Sequence, residues 1–428
     1  KIPYFDENVE ISQYLDIPNN EFTRDEILSM LAKEMLDAAE QLPASQPEVG
    51  RIHKYIALAY AAKIKLYQAY QQDEITHAVT SINKELLREV VSLCDQVTAS
   101  NRYGLLDDFQ GLDLVTNENG KESVFAIQYS MNDGTESAGR INWSNLLNSP
   151  GGGSPYGGDG FFLPSQDLIN AYQTDANGLP DFNYQSKSDY SWAVLNNGVY
   201  TLQNTTPNVD PRLDFVVGRP TITWKTYPDK PCEGWVRDKE TYGYNCAKRF
   251  WVSPESSDMF NGWPWGASQL NWQIIRYADI LLWKAEALIE LNEGNGLETA
   301  RDLINQIRNR ARNSAYVKDF NDHSKYAANY LVNPYPADVW NQDYARQALR
   351  WETRLEKALE GERFFDLVRW GIVETTMNKY ITAESDNRIY YANAHFTGGK
   401  DEYYPVPNNQ YGFSGGKYVQ NPGYAPFN

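Results

Sequence analysis

Two stretches of helical period, residues 275–291 and 297–312, flank the breaker Glu-Gly-Asn-Gly at 293–296. In the first, Ala278, Leu281, Leu282, Ala285 and Leu288 share one face; in the second, Ala300, Ile304, Ile307 and Ala311 do. A helix cannot bury its own apolar stripe, and so short a break returns the chain antiparallel to itself. The alanines let the two axes approach closely. This predicts a helical hairpin of the tetratricopeptide type, a unit of about 34 residues that needs stacked neighbours to complete its core.

Neighbours are present at the start of the chain. Thr23 with Glu26 forms a capping-box pattern ahead of a helix over 24–42, whose stripe is Ile27, Leu28, Leu31, Met35, Ala38 and Leu42 and which Pro43 stops. Helices over 51–70 and 82–99 follow, and another covers 344–360, ending at Gly361 as a left-handed cap. Between them, 103–271 turns to short β-like runs such as 123–129, broken by Gly, Pro, Asn and Asp. The run SPGGGSPYGGDG at 149–160 lacks a Gly-Lys-Ser/Thr ending, so it reads as a surface loop and not a phosphate cradle. The expected class is mainly α: tetratricopeptide-like helical-hairpin repeats with a large irregular, partly β insertion. Four regions follow: N-terminal repeats at 1–102, the insertion at 103–271, repeat hairpins at 272–372, and an extended segment at 373–428 packing on the body.

Charge narrows the partners. With 39 Lys and Arg against 56 Asp and Glu, the net charge of −17 repels phosphate backbones and anionic membrane surfaces, so nucleic acid is excluded. No apolar run reaches the length of about 18–20 residues that crosses a bilayer. Cys232 and Cys246 lie close enough in an irregular segment to form a disulfide, whereas Cys94 falls in a helical apolar stripe and reads as a buried thiol.

Several blocks carry a resemblance: RYADILLWKAEAL at 276–288, INQIRNRA at 304–311, LRWETRLEKALEGERFFDLVRWG at 349–371, YPVP at 404–407 and QNPGY at 420–424. With DPRL at 210–213 and ESVF at 122–125 in the expected order, the chain resembles the SusD/RagB family of Bacteroidota outer-membrane nutrient-binding lipoproteins almost throughout. Thr353, Lys357 and Phe364 depart from the family's usual Arg, Leu and Trp. Members carry a signal peptide, a lipid-bearing cysteine and further helical material before the Ile-Pro that Ile2-Pro3 resembles, so the resemblance implies a start lacking that portion. It also implies a SusD-like fold, a non-catalytic role in capturing oligosaccharide or polysaccharide, and a cell-surface location on the outer membrane. Attachment would be only through a lipid anchor not present in this chain, and the partner would be a SusC-like TonB-dependent transporter. Peptide capture, as in the RagB branch, and a protein-binding helical adaptor stay open as alternatives.

Catalysis finds little support. Glu352, Glu356 and Glu360 repeat at helical spacing beside Arg350 and Arg354, which suits charge pairing better than the separately tuned carboxylates of a glycosidase. His53, His77, His323 and His395 are isolated and show no zinc spacing. Arg276, Asp279 and Glu286 read as helix-bridging charges, and Arg363 with Asp366 as a turn network. No metal or cofactor is predicted; the Asp/Asn-rich loops are compatible with calcium but lack EF-hand spacing.

Aromatic residues are the binding candidates, because sugar rings stack their C–H faces on flat indole and phenol rings. The chain holds 30 Tyr and 12 Trp, a high share that the helices alone do not explain. Trp224, Tyr227, Trp235, Tyr242, Tyr244, Trp263 and Trp265 lie in loop-like polar context and form the first rank; Trp251 shares that context. Trp143, Tyr156 and Trp192 form a second. Trp283, Trp351 and Trp370 fall on helices and read as packing.

Overall fold

The computed structural model describes residues 1–427 except 136–138, 145–147, 149, 150, 152, 192, 198, 203–206, 226, 233, 264 and 265. Helix α1 (Arg24–Gln41) opens as the sequence requires: the Thr23 hydroxyl accepts from the Glu26 amide, and the Glu26 carboxylate accepts from the Thr23 amide at 2.8 Å. Helix α2 (Lys54–Ala69) packs between α1 and α3 (Lys84–Ala99). A two-stranded hairpin, β1 (Tyr70–Gln72) and β2 (Val79–Ile82), joins α2 to α3 and takes residues that the helical period had suggested would extend both helices. Ala57, Ala61, Ala62, Leu66, Leu87, Val90, Cys94 and Val97 form the buried seam.

The insertion begins with β3 (Ser123–Ile127) and continues through short elements: α4 (Gln166–Ala171), β4 (Ala193–Asn196) with β5 (Val199–Leu202), α5 (Arg212–Val216), β6 (Val217–Gly218), β7 (Thr223–Trp224), β8 (Tyr227–Pro231), α6 (Lys239–Tyr242) and β9 (Cys246–Ala247). Its last strand, β10 (Trp272–Arg276), pairs antiparallel with β3, joining Arg276 to Ser123 and Ile275 to Phe125. Ile275 and Arg276 are therefore strand residues and not the first helical turn, because β3 supplies their hydrogen-bond partners. All sheets among the described residues have two strands.

Helices α7 (Tyr277–Leu291) and α8 (Gly296–Asn313) form the predicted hairpin, with Asn292 in the left-handed conformation at the end of α7. Ala278, Leu281, Ala285, Ala300, Ile304 and Ile307 are buried at its seam, which α9 (Gln342–Glu356) completes through Ala345, Ala348 and Leu349, and Ala311 is buried as well. Helix α9 stops at Glu356, short of the predicted 360. Lys357 and Glu360 turn inward to ion pairs, with Leu359 (φ 67°) and Gly361 (φ 85°) both left-handed.

The C-terminal region is not extended throughout. It follows α10 (Arg363–Arg369) with the thirteen-residue α11 (Val373–Ser385) and includes α12 (Asn408–Phe413). Its end returns to the N-terminal arm, where Asn19 exchanges two 2.9 Å hydrogen bonds with the Val419 backbone. Among the described residues no helix is long and apolar enough to cross a membrane.

Candidate functional site

The charged blocks in the sequence converge on one buried network. Arg276, at the β10–α7 junction, donates to Glu122 at 2.7 Å, Glu356 at 3.0 Å and Glu360 at 2.7 Å. Arg310 on α8 reaches Glu356 at 2.5 Å and Glu122 at 3.1 Å. Arg212 on α5 joins Asp210 at 2.7 Å to Glu352 at 2.6 Å, and Arg308 meets the other oxygen of Glu352 at 3.1 Å. Arg249 links Asp113 to Glu360, and Lys357 links Asp279 to Glu360. Lys357, a departure from the family pattern, thus brings an added charge into the network.

This geometry ties five separate sequence blocks together, and its carboxylates are occupied by buried cationic partners. Burial alone would raise the Glu356 carboxyl; Arg310, Arg276 and Arg212 outweigh it and hold the group below 4.5. Asp113 and Asp210 are likewise held below 3.8 against burial, by Arg249 with Lys225 and by Arg212 respectively. Each of these carboxylates is locked to guanidinium groups and shut off from solvent, which fits a part in the registry of the helices. Asp366 is held by Arg369 at 2.8 Å, and Arg369 also meets Glu286, so this group bridges helices where a turn network with Arg363 was expected. Among the described residues no His, Cys, Asp and Glu cluster could hold a metal.

The aromatic candidates divide by burial. Trp224 (1% exposed), Trp235 (4%) and Tyr156 (0%) form one packed cluster with Trp251. Trp224 and Trp235 are edge to face at 4.9 Å, and the Trp224 indole N–H donates to the Tyr156 hydroxyl at 2.9 Å. A ring with no exposed face cannot stack a sugar, so for these three the expectation of ligand contact is corrected: they are the insertion's own small core. An irregular segment with little regular sheet needs such a core, and large rings supply it. Cys232 and Cys246 belong to the same cluster as buried thiols, so the disulfide that their spacing left open is not formed.

Other candidates reach the surface. Trp263 is 65% exposed in the loop that Phe260 closes by donating to the Ala267 carbonyl at 2.8 Å. Ser268 lies between Met259 and Asn142 in antiparallel bridges, so half-exposed Trp143 leaves the same ribbon of short runs that carries Trp263. Tyr242, also half-exposed, ends α6 with its ring 6.0 Å from that of Tyr390. Tyr390 in turn lies 4.7 Å from Tyr391. Next to Tyr242, Gly243 (φ 77°) makes room for the Arg388 side chain: a Cβ there would stand 2.3 Å from a guanidinium nitrogen. Tyr244 is half-buried, Tyr227 lies in β8 with its side chain outside the description, and Trp192 and Trp265 lie outside the described residues.

The sequence reading missed Tyr390 and Tyr391. They lie far from Tyr242 in the chain, within a region read as extended packing, and only the fold brings the three rings together. The signal available was a Tyr-Tyr pair beside Ile389, which is 82% exposed.

Comparison with known proteins gives a consistent result. The SusD family model matches residues 121–424. Among solved structures, the chain is similar to a SusD superfamily protein from Bacteroides vulgatus (20% identity, covering 99% of this chain and 73% of that one, TM-score 0.66). It is also similar to a SusD-like carbohydrate-binding protein from Bacteroides fragilis (19%, 96% and 74%, 0.65). A third is surface glycan-binding protein A from Bacteroides fluxus (20%, 99% and 73%, 0.60). No curated protein matches the sequence.

Proposed function

Because the chain belongs to the SusD family, we propose that it captures oligosaccharide or polysaccharide at the outer surface of the outer membrane and delivers it, unmodified, to a TonB-dependent transporter. The observation that carries this reading is the exposure of Trp263, Trp143, Tyr242 and Tyr390 on the insertion and the segment beside it, where Trp224, Trp235 and Trp251 of the same insertion are buried. Flat rings held by neighbouring structure present a prepaid stacking surface, while sugar hydroxyls find partners among the surrounding polar side chains. The structures named for carbohydrate and glycan binding share this fold and support the same ligand class.

A site built from a few stacked rings gives affinities of about millimolar to micromolar, or about −4 to −8 kcal/mol. Such binding suits release to a partner. The test is electrophoresis through gels containing a panel of polysaccharides. At least one retards the wild type, and Trp263→Ala with Tyr242→Ala restores free migration. A folded chain retarded by no polysaccharide would defeat the proposal.

A further inference from the structure

A second site lies away from these rings, among the N-terminal helices. A cavity of about 490 Å³ opens between the α1–α2 loop and β3, within the range of about 300–1,000 Å³ typical of small-molecule sites. Its loop wall is built for close approach: Gly50 (φ 82°) lies so near Gln128 that a Cβ would fall 2.4 Å from that side chain. Arg51, Arg102 and Lys121 line the cavity against one carboxylate, Glu48. On a chain of net charge −17, this is a local reversal of sign.

Arg51 pairs with Glu48 and Lys121 with Asp107, whereas Arg102 has no ion-pair partner among the described residues. The amino terminus of the sixteen-residue α2 also meets the cavity, since both His53 and Ile56 line it. No side chain caps that terminus, whose aligned peptide dipoles favour negative charge. His53 is itself 9% exposed, and its Nδ1 is buried with no hydrogen-bond partner. The Nε2 lies 3.2 Å from the Tyr103 hydroxyl. Burial, then the charge of Arg102, lowers the pKa of the imidazole and favours its neutral form.

We infer that this cavity binds an anionic sugar unit, its carboxylate held by Arg102 beside the α2 amino terminus and its hydroxyls by the amide of Gln46. Tyr103 and Phe125 supply ring faces in the same wall. The saccharide is favoured over an acidic peptide because, of the three lining cations, Arg51 and Lys121 already face Glu48 and Asp107, and the unpaired charge of Arg102 beside ring faces matches a single uronate better than a run of carboxylates.

Titration calorimetry of the full chain with trigalacturonate, at low ionic strength, tests this. The expected result is saturable binding that Arg102→Ala weakens by about tenfold or more, that added salt weakens, and that Trp263→Ala leaves unchanged. Lys121→Ala, at an exposed position, gives a smaller loss in the same direction. Neutral galactotriose is expected not to compete. No binding of trigalacturonate, equal binding of the neutral trisaccharide, or indifference to Arg102→Ala in a folded variant would overturn the inference. Competition by an acidic peptide at equal concentration would overturn the saccharide assignment. Neutral-polysaccharide binding at the rings is read separately through Trp263→Ala, so either site can fail without the other.

Discussion

Replacing Glu356 by alanine should destabilise the fold more than any surface ion-pair change. Its carboxylate accepts from Arg310 at 2.5 Å, Arg276 at 3.0 Å and Arg212 at 3.3 Å, and all four side chains are buried. Removing it does not strand those guanidiniums completely, since Arg276 keeps Glu122 and Glu360, Arg212 keeps Asp210 and Glu352, and Arg310 keeps Glu122. The loss is therefore that of one partner from a buried network, about 3–5 kcal/mol, against a total stability of about 5–15 kcal/mol for a native protein. Urea unfolding followed by tryptophan fluorescence and circular dichroism measures this, and urea avoids the screening that guanidinium chloride would add. A chain of this length need not unfold in two states, so the comparison is of midpoints under identical conditions. Asp37→Ala, which removes the exposed partner of Lys33, serves as the reference and should leave the midpoint unmoved. Glu356→Gln, which keeps the shape but not the charge, should fall between. Equal midpoints for Glu356→Ala and Asp37→Ala would refute the view that the buried charges are structural ties.

Burial, with Asp258 nearby, raises Glu118 from 4.5 to about 7 against the opposing hydrogen bond from the Asn271 amide. The folded state favours the protonated form, so this contribution is full below pH 4.5 and is lost as pH rises through about 7. Glu118→Gln should gain melting temperature relative to wild type between those values, and a difference constant with pH would contradict the assignment. The depressed carboxyls of Asp113, Asp210 and Glu356 act in the opposite sense: their stabilisation holds above the unfolded values of 3.8 to 4.5 and is lost below them, which circular dichroism at falling pH would record. Trp224→Ala should cost about 3–5 kcal/mol by opening the insertion core, whereas Trp263→Ala should leave the urea midpoint unchanged. Cys94, Cys232 and Cys246 should react with a thiol reagent only after unfolding, and reductant should not shift the melting temperature; a mass decrease of a disulfide's two hydrogens would contradict this.

The helices were legible because their stripes repeat at the helical period over many residues and their ends carry local signals, as Thr23 with Glu26 and the breaker at 293–296 do. Their exact ends were less so. Ile275 became strand because β3, far away in sequence, offers it hydrogen bonds, and 357–360 left the helix because Asp279 draws Lys357 inward. Within the insertion, the identity of the rings could be read but not their direction. Trp224 and Trp263 occur in similar polar surroundings, yet one is core and the other surface, since burial there is decided by which distant rings pack together. The Tyr242, Tyr390 and Tyr391 group and the His53 cavity join segments far apart in the chain, and no local pattern encodes such meetings.

The central claim, capture without turnover by exposed rings, is tested most directly by calorimetric titration of one polysaccharide chosen from the gel panel into wild type, Trp263→Ala and Tyr242→Ala, followed by chromatography of the recovered ligand. Saturable wild-type binding, at least tenfold weaker in the variants, with ligand of unchanged length after prolonged incubation, is the predicted result. Undiminished binding by both folded variants, or shortened ligand, would contradict it.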